Sequence, residues 1–561
     1  MRIVFLFIMI NALFIYLLAQ NDSLRIAPLN PAFIKYMENL TKNRLDKCPC
    51  SDYPSGYIPH PVKLRTEVTE SLKKIMQLPV RYDLRDEGKV TPVKNQSSCG
   101  SCWTFATMGS IESRWLDLGL GTFDLSEQNL KNGHGFLWGH CDGGNSWMAT
   151  AYLVRGNGPV AEADDPYNIN DSTYTSIETL QGYVTDYRAL PNDRTIIKQA
   201  IMESGAVYNT MYYDTTYYNR TDTSYFCNLP DLTNHAILLV GWDDNKNTAA
   251  DNDGAWIVKN SWGTAFGDNG YFYISYDDSS INQDIAFWPG RINYNANASV
   301  YGYDKLGSIG SAGYGQDDTD YALVKFIIAG NQYLSKIGTF VLVANSTLSV
   351  EIYDDFNGQS LNNLLSAIND TVCSYAGYYT FNLPSYLYLT SGEDIYIKVK
   401  YSTPDEAYPI PVEMYIEDFA EPDIESDCCW ISNNGTNTWS AIGNNTTNNK
   451  WDLCIKAYCT TDQPTKVSKE NILPDQFSLS QNYPNPFNPN TMIEYSVPEY
   501  GKVELEVFNI IGRSVIKLVD GFKTNGIYKV EFNGENLASG VYFYRLKTDQ
   551  FITTRKMILM R

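Results

Sequence analysis

Apolar and polar positions recur with different periods along the chain, and the changes of period divide it into segments. Arg2 precedes an apolar run from Ile3 to Leu18, broken only by Asn11 and followed by Ala19-Gln20-Asn21. A positive start, an apolar stretch and a small residue at its end predict a secretory signal over residues 1–19, cleaved after Ala19. The run is just short of the ~18–20 residues that a membrane-spanning helix needs, so no transmembrane span is expected in the mature form. Residues 20–77 mix Lys and Glu at helix-like spacing with a turn-rich stretch from Cys48 to Pro61. Phe105, Met108, Ile111 and Trp115 fall at helical spacing and predict a helix that starts at Cys102. The unbroken apolar run Ala236-Ile-Leu-Leu-Val-Gly-Trp242 predicts a buried strand opened by His235, and Trp256-Ile-Val-Lys-Asn260 predicts a second.

From about Arg291 to Cys459 the period drops to two, as in Leu348-Ser-Val-Glu-Ile-Tyr353 and Asp394-Ile-Tyr-Ile-Lys-Val-Lys400, which predicts an antiparallel β domain. A polar linker spans residues 460–476. Beyond it Val503–Val507, Ile527–Phe532 and Gly540–Leu546 alternate around a turn at Gly512 and predict a small β-sandwich. No short solenoid repeat interrupts this order.

Composition narrows the partners. The 561 residues suit three or four domains, and 43% hydrophobic with 14% aromatic content is enough for packed cores. A net charge of −21 repels phosphates, which excludes nucleic acid as the main partner. Export makes the eleven cysteines disulfide material. An odd number leaves at least one thiol without an intramolecular partner, and such a thiol needs a reason.

Cys99-Gly-Ser-Cys-Trp103 supplies one. A thiol at a helix start feels the positive end of the helix dipole, which favours the thiolate. The competing reading, a Cys99/Cys102 redox or zinc pair, gains no second Cys-x-x-Cys and gives Gln96 no role. Of the four histidines, His60 falls in the turn-rich segment and His134 and His140 flank a Gly-rich loop, so all three are expected at the surface. His235 opens a buried strand. Asn260, between Trp256 and Trp262, suits an acceptor that fixes the tautomer of His235. Gln96, Cys102, His235 and Asn260 together are the parts of an acyl-transfer site: oxyanion donor, nucleophile, base and orienter. The acidic loop from Asp243 to Gly254 does not follow the EF-hand ligand spacing, so it is expected to be a solvated hairpin; no metal or other cofactor is expected.

These motifs stand in an order that resembles the papain family of cysteine peptidases over residues 78–290. The likeness rests on Leu78-Pro79, Tyr82-Asp-Leu-Arg85, Val90-Thr-Pro-Val-Lys-Asn-Gln96, Cys99-Gly-Ser-Cys-Trp103, Cys141-Asp-Gly-Gly144, Asn234-His-Ala236 and Asn260-Ser-Trp-Gly263. The resemblance implies an α+β two-lobe peptidase, with a helical lobe and a β-barrel-like lobe. Cys102 is then the nucleophile, His235 the base and acid, Asn260 its orienter and Gln96 an oxyanion donor. It further implies that Trp262 shields the pair, that Cys99 bridges Cys141, that Gly143 and Gly144 offer backbone to substrate, and that Asn145 and Ser146 line the specificity pocket. Residues 20–77 stand where an inhibitory propeptide stands in the family.

Two all-β sandwich domains follow. Residues 297–459, with Val300-Tyr-Gly-Tyr-Asp304 and Leu453-Cys-Ile-Lys-Ala-Tyr458, resemble the lectin-like domain that follows some secreted relatives, which makes glycans candidate partners. Cys428 and Cys429 are expected to pair elsewhere, among Cys373, Cys454 and Cys459. Residues 477–561 open with Tyr483-Pro-Asn-Pro-Phe-Asn-Pro489 and resemble the sorting domain read by the type IX secretion machinery. The expected product is a secreted or outer-surface endopeptidase, delivered through the periplasm, that acts on proteins or peptides. The alternative is a catalytically silent surface-binding protein on a peptidase scaffold.

Overall fold

The computed structural model describes residues 23–43, 56–69, 78–229, 233–315, 318–443, 450–463, 477–482, 484–497, 501–523, 526–535, 537–548 and 551–560. The expected signal, Cys48, Cys50 and most of the expected linker lie outside them. Near the N-terminus come strand β1 (Arg25–Ile26) and helix α1 (Pro31–Asn43). Asn30 Oδ1 accepts the Ala32 N–H at 3.1 Å, and Pro31 takes the first helical position, where a missing N–H is harmless.

Helix α2 (Cys102–Asp117) is buried along most of its length, including Trp103, Met108, Ile111 and Trp115. Around it lie α3 (Glu127–Gly133), capped by Ser126, α4 (Ser146–Val154), capped by Asn145, and α5 (Arg194–Ser204), capped by Asp193. The strands of this half are β2 (Tyr187–Ala189), β3 (Val207–Met211), β4 (His235–Asp243), β5 (Ala255–Lys259), β6 (Tyr271–Ser275) and β7 (Ala286–Phe287). β4 pairs antiparallel with β3 on one side and β5 on the other, so Met211 faces His235 and Trp242 faces Trp256. Eight of its nine residues are buried, which is why its sequence runs apolar without alternation.

The middle region adds β8 (Gly310–Gly313), β9 (Thr319–Ile327), β10 (Gln332–Val341), β11 (Ala376–Leu389), β12 (Ile410–Met414), β13 (Cys429–Ser432), β14 (Trp451–Leu453) and β15 (Ile455–Thr460). It is not an independent module. β11 pairs with β2, so one 13-stranded sheet runs from the middle region into the peptidase-like half. Gly377 makes the junction possible: a Cβ there would lie 2.0 Å from Tyr187 O. β1, β8, β12 and β14 form a four-stranded sheet, and β9 and β13 belong to a six-stranded one. Both contribute to a core with Val324, Val350, Ile397, Val412, Ile431 and Leu453.

Residues 465–561 form a separate unit. A three-stranded and a four-stranded sheet enclose Ile493, Tyr495, Val503, Leu505, Val507, Tyr544, Leu546 and Met557. This is the small sandwich that the alternation predicts. Among the described residues no helix is long and apolar enough to cross a membrane.

The cysteines depart from expectation. Cys99 and Cys141 are joined in a disulfide, but Cys227, Cys373, Cys428, Cys429, Cys454 and Cys459 are buried free thiols. Cys428 does not reach Cys373, Cys454 or Cys459; its sulfur lies 3.6 Å from that of Cys429. Cys373 and Cys459 pack into the apolar interior of the two sheets as small hydrophobic side chains.

Candidate active site

Cys102 is the first residue of α2 and fully buried. Its sulfur accepts the Ala236 N–H at 3.3 Å, and the N–H groups of Trp103, Gly56 and Cys102 itself also favour the thiolate. Burial outweighs them and pushes the thiol up to about 11. Because Ala236 follows His235 at the start of β4, the same turn of chain brings both to the helix start.

His235 Nε2 lies 2.9 Å from Asn260 Oδ1, which also accepts the Ser261 backbone N–H at 2.8 Å. A backbone N–H can only donate, so the Asn260 atom is oxygen and Nε2 must carry the imidazole proton. Nδ1 is left as the basic nitrogen; it is buried, without a hydrogen-bond partner, and so not bonded to the sulfur. Burial pushes His235 down to about 4, against the pull of the Asn260 bond. Trp262 stacks on the ring at 4.4 Å and 20°. Gln96 is fully buried: its Nε2 donates to Cys99 O at 2.8 Å and its Oε1 accepts from Ser261 Oγ. One Nε2 proton remains for another acceptor.

A strap covers this group. Gly56 and Tyr57 donate their N–H groups to Asn234 O at 2.9 and 3.2 Å, Ile58 N–H donates to Gly144 O at 3.0 Å, and Gly144 N–H donates to Gly56 O at 2.9 Å. Tyr57 and Gly144 are thus paired as parallel strands. Gly143, at φ +113°, lies so close that a Cβ there would be 2.8 Å from Gly56 O, and a Cβ on Gly144 would enter the Trp103 ring. Both glycines offer backbone, as the sequence implies, but to residues of the chain's own N-terminal segment.

With the strap in place, neither Asn145 nor Ser146 faces open space. Asn145 Oδ1 caps α4 by accepting from Trp147 and Met148 N–H, and its amide donates to Ile58 O at 3.1 Å. Ser146 Oγ donates to Asp284 and contacts the Tyr187 hydroxyl at 2.8 Å. The ionisable group at this spot is the half-buried Asp284 carboxylate, which burial raises to about 6 and whose charge reaches the Tyr57 phenol. Helix capping and a buried partner absorb polarity that a linear reading assigns to a ligand.

The histidines also differ from expectation. His134 is buried, with Nδ1 accepting the Phe136 N–H at 3.0 Å, and His60 packs edge-on against Trp147 at 4.6 Å. His140 is half-buried. Three contributors had no sequence signal for their place: Gly56, Asn234 as acceptor of the strap, and Tyr167, which binds Ser101 Oγ at 2.6 Å and Gln96 O at 3.0 Å. Ser261 was visible only as part of Asn260-Ser-Trp-Gly263.

Behind the site, Lys94 Nζ meets Glu127 at 2.9 Å, Asp124 at 2.7 Å and Glu112 at 3.3 Å. Both glutamates are buried to within 2%. Burial raises Glu127 to about 8 against the pull of Lys94.

Comparison with known proteins gives three matches along the chain. The papain family cysteine protease model matches residues 78–287, the lectin-like domain model residues 300–459, and the secretion system C-terminal sorting domain model residues 481–560. Cathepsin J of Mus musculus is 34% identical over 215 residues, which is 36% of this chain and 62% of that protein. Cysteine proteinase 1 of Dictyostelium discoideum is 30% identical over 214 residues, again 62% of its length. The chain therefore spans less than two thirds of these relatives. A structure of the cysteine protease and lectin-like domains of Cwp84, a surface layer associated protein of Clostridium difficile, superposes with a TM-score of 0.68 at 24% identity, covering 79% of this chain and 99% of that one. A Cwp84 structure after propeptide cleavage gives 0.61 at 25% identity, over 68% and 99%. The sorting domain marks the chain for secretion or the outer surface. Residues 78–287 belong to the papain family of cysteine proteases, and a lectin-like domain and a secretion system C-terminal sorting domain follow them in the same chain.

Proposed function

We propose that residues 78–290 are the catalytic domain of an exported cysteine endopeptidase and that residues 20–77 hold it inactive until they are removed. The observation that carries the catalytic half is the fixed tautomer of His235: Nε2–H is committed to Asn260, so Nδ1 is the nitrogen free to take a proton from Cys102. In the uncovered enzyme the sulfur loses its proton to Nδ1 and attacks the peptide carbonyl carbon. The carbonyl electron pair moves to oxygen, where the remaining Gln96 Nε2 proton and the Cys102 N–H donate; such a donor is worth about 2.7–4 kcal/mol at the transition state. Nδ1–H protonates the departing amine and leaves a thioester. Water then attacks the thioester with Nδ1 as base, releasing the acid and restoring the thiol.

The covered state explains the direction of both shifts at the site. Burial under Gly56–Ile58 raises the thiol and lowers the imidazole, so both stay neutral and unreactive. Solvent reaching the cleft after removal of the strap lowers the cost of the thiolate–imidazolium pair.

Labelling by an epoxide or iodoacetamide reagent tests the reading. Processed protein is expected to be labelled at Cys102 and to hydrolyse peptides, with both lost in Cys102→Ala. Processed, folded protein that labels but cleaves no member of a mixed peptide library would support a binding role instead.

A further inference from the structure

Two adjacent cysteines and an aspartate meet inside the lectin-like domain, away from the peptidase site. Cys429 opens β13, where it faces Val324 of β9 and Ile442. Asp452 lies on β14 opposite Glu413 of β12. The two sulfurs and one carboxylate oxygen of Asp452 all lie within 4.8 Å of one another. Cys429 and Asp452 are fully buried and Cys428 is 4% exposed.

The sulfurs are 3.6 Å apart. Two thiolates on one tetrahedral zinc, each at about 2.3 Å, are about 3.8 Å apart. Asp452 Oδ2 accepts the Glu425 N–H at 3.2 Å, while Oδ1 is buried and has no partner. A disulfide between neighbouring residues would draw the sulfurs to about 2.0 Å and leave Asp452 Oδ1 as it is. A cation satisfies all three groups together, and two sulfur donors exclude calcium and magnesium in favour of a thiophilic ion.

We propose that Cys428, Cys429 and Asp452 bind a thiophilic divalent cation of the zinc class, with a fourth position left for water. On binding, the cation gains two sulfur bonds and one oxygen bond, and both thiol protons pass to solvent. The site joins β13 of the six-stranded sheet to β14 of the four-stranded sheet, so it staples the two faces of the sandwich where an exported domain commonly carries a disulfide.

The test uses the full chain in a Cys102→Ala background, which removes the peptidase thiol as a competitor. Zinc retained after dialysis is measured by mass spectrometry of the metal, and cadmium titration is followed by the ultraviolet thiolate-to-cadmium band. The expected result is one more equivalent of zinc in the parent than in Cys428→Ser/Cys429→Ser, and a cadmium band present only in the parent. The isosteric Asp452→Asn is expected to weaken cadmium binding at least about tenfold, and a chelator to lower the melting temperature of the parent alone. Should the double serine variant not fold, the cadmium band of the parent and its weakening in Asp452→Asn decide the matter. Equal zinc in parent and variants, no cadmium band, or a Cys428–Cys429 peptide lighter by two hydrogens would overturn the proposal.

Discussion

Gly56→Val tests whether the strap controls the nucleophile. A Cβ at Gly56 would meet Gly100 O at 2.0 Å and Gly100 C at 2.4 Å. Both are backbone atoms, so the strap must lift. Lifting it breaks four backbone hydrogen bonds, from Gly56, Tyr57, Ile58 and Gly144 N–H. At about 0.5–1.5 kcal/mol each, these bonds hold the seated strap by roughly 4 kcal/mol in the parent, and the backbone clash keeps the variant from forming them. With the strap seated, a thiol at about 11 is ionised at pH 7 to roughly one part in ten thousand. Burial raises the thiol from 9.0 to about 11, and relief of that rise predicts a thiolate fraction about 100-fold larger. The assay is the rate of iodoacetamide alkylation of Cys102 at pH 7 in full-length protein, with intact mass to show that the chain is uncut and peptide mapping to separate Cys102 from the other thiols. Hydrogen exchange at the Ile58 amide reports whether the strap has lifted. A lifted strap with an alkylation rate within threefold of the parent would refute the link between cover and reactivity.

Three further substitutions probe separate parts of the site. Gln96→Ala in the processed enzyme is expected to lower kcat about 10²–10³-fold with little change in KM, because the donor acts on charge that develops only in the transition state; a change confined to KM would assign Gln96 to ground-state binding. Lys94→Met leaves Glu112 and Glu127 buried without their cation, and urea unfolding is expected to show a loss of about 3–5 kcal/mol; a loss below 1 kcal/mol would mean that both glutamates are neutral in the parent. Tyr57 of the strap feels the charge of Asp284, whose carboxyl loses its proton as pH rises through about 6, so Asp284 faces the position that Tyr57 vacates. Peptides with Lys or Arg at that position are expected to gain over apolar ones between pH 5 and 7 (a window of about one unit either side), and Asp284→Asn is expected to abolish the gain. A pH-independent preference in the parent would rule out Asp284 as its source.

The catalytic parts were legible because their chemistry leaves residue types that nothing else explains: a cysteine at a helix start, a histidine opening a buried strand, and an asparagine between tryptophans. Their supports were not. Asn145 and Ser146 read as pocket residues only through the family resemblance, which carries no sign that in the fold one caps α4 and the other binds Asp284. His134 read as surface because glycines flank it, yet the loop turns it against Trp103. The strap was invisible because its pairing runs through backbone atoms, and backbone bonding leaves no mark on side-chain pattern beyond the glycine it requires. The β11–β2 junction was hidden for the same reason. Alternation identifies a strand and its buried face, but its neighbour is chosen by contacts between residues 189 positions apart, such as Arg188 and Gly377. Cysteine count pointed to a thiol left for chemistry but overstated the disulfides among the described residues, since it ignores whether the sheets bring sulfurs together.

The proposed release of residues 20–77 requires dissociation as well as cleavage. The segment is held by the lectin-like domain at both ends. β1 pairs with β8, with Ala27 N–H bound to Ser311 O at 2.8 Å, and Phe33 of α1 packs on Phe419 at 4.9 Å. Beyond the strap, Arg65 N–H binds Leu342 O, Ala344 N–H binds Arg65 O, and the Arg65 guanidinium donates to Pro404 O and Asp405 O. None of these contacts depends on the covalent link at Leu78. Cutting the chain there ends only the tether, which for a short linker supplies an effective concentration on the order of millimolar. The cut segment is then expected to stay bound at micromolar protein and to leave on dilution to nanomolar, so that peptide hydrolysis appears slowly after dilution rather than at the moment of cleavage. Gel filtration of the cut protein at both concentrations, with active-site titration, reads the two steps apart. Full activity at micromolar concentration as soon as the chain is cut would mean that the contacts with the lectin-like domain hold the segment only while it is tethered.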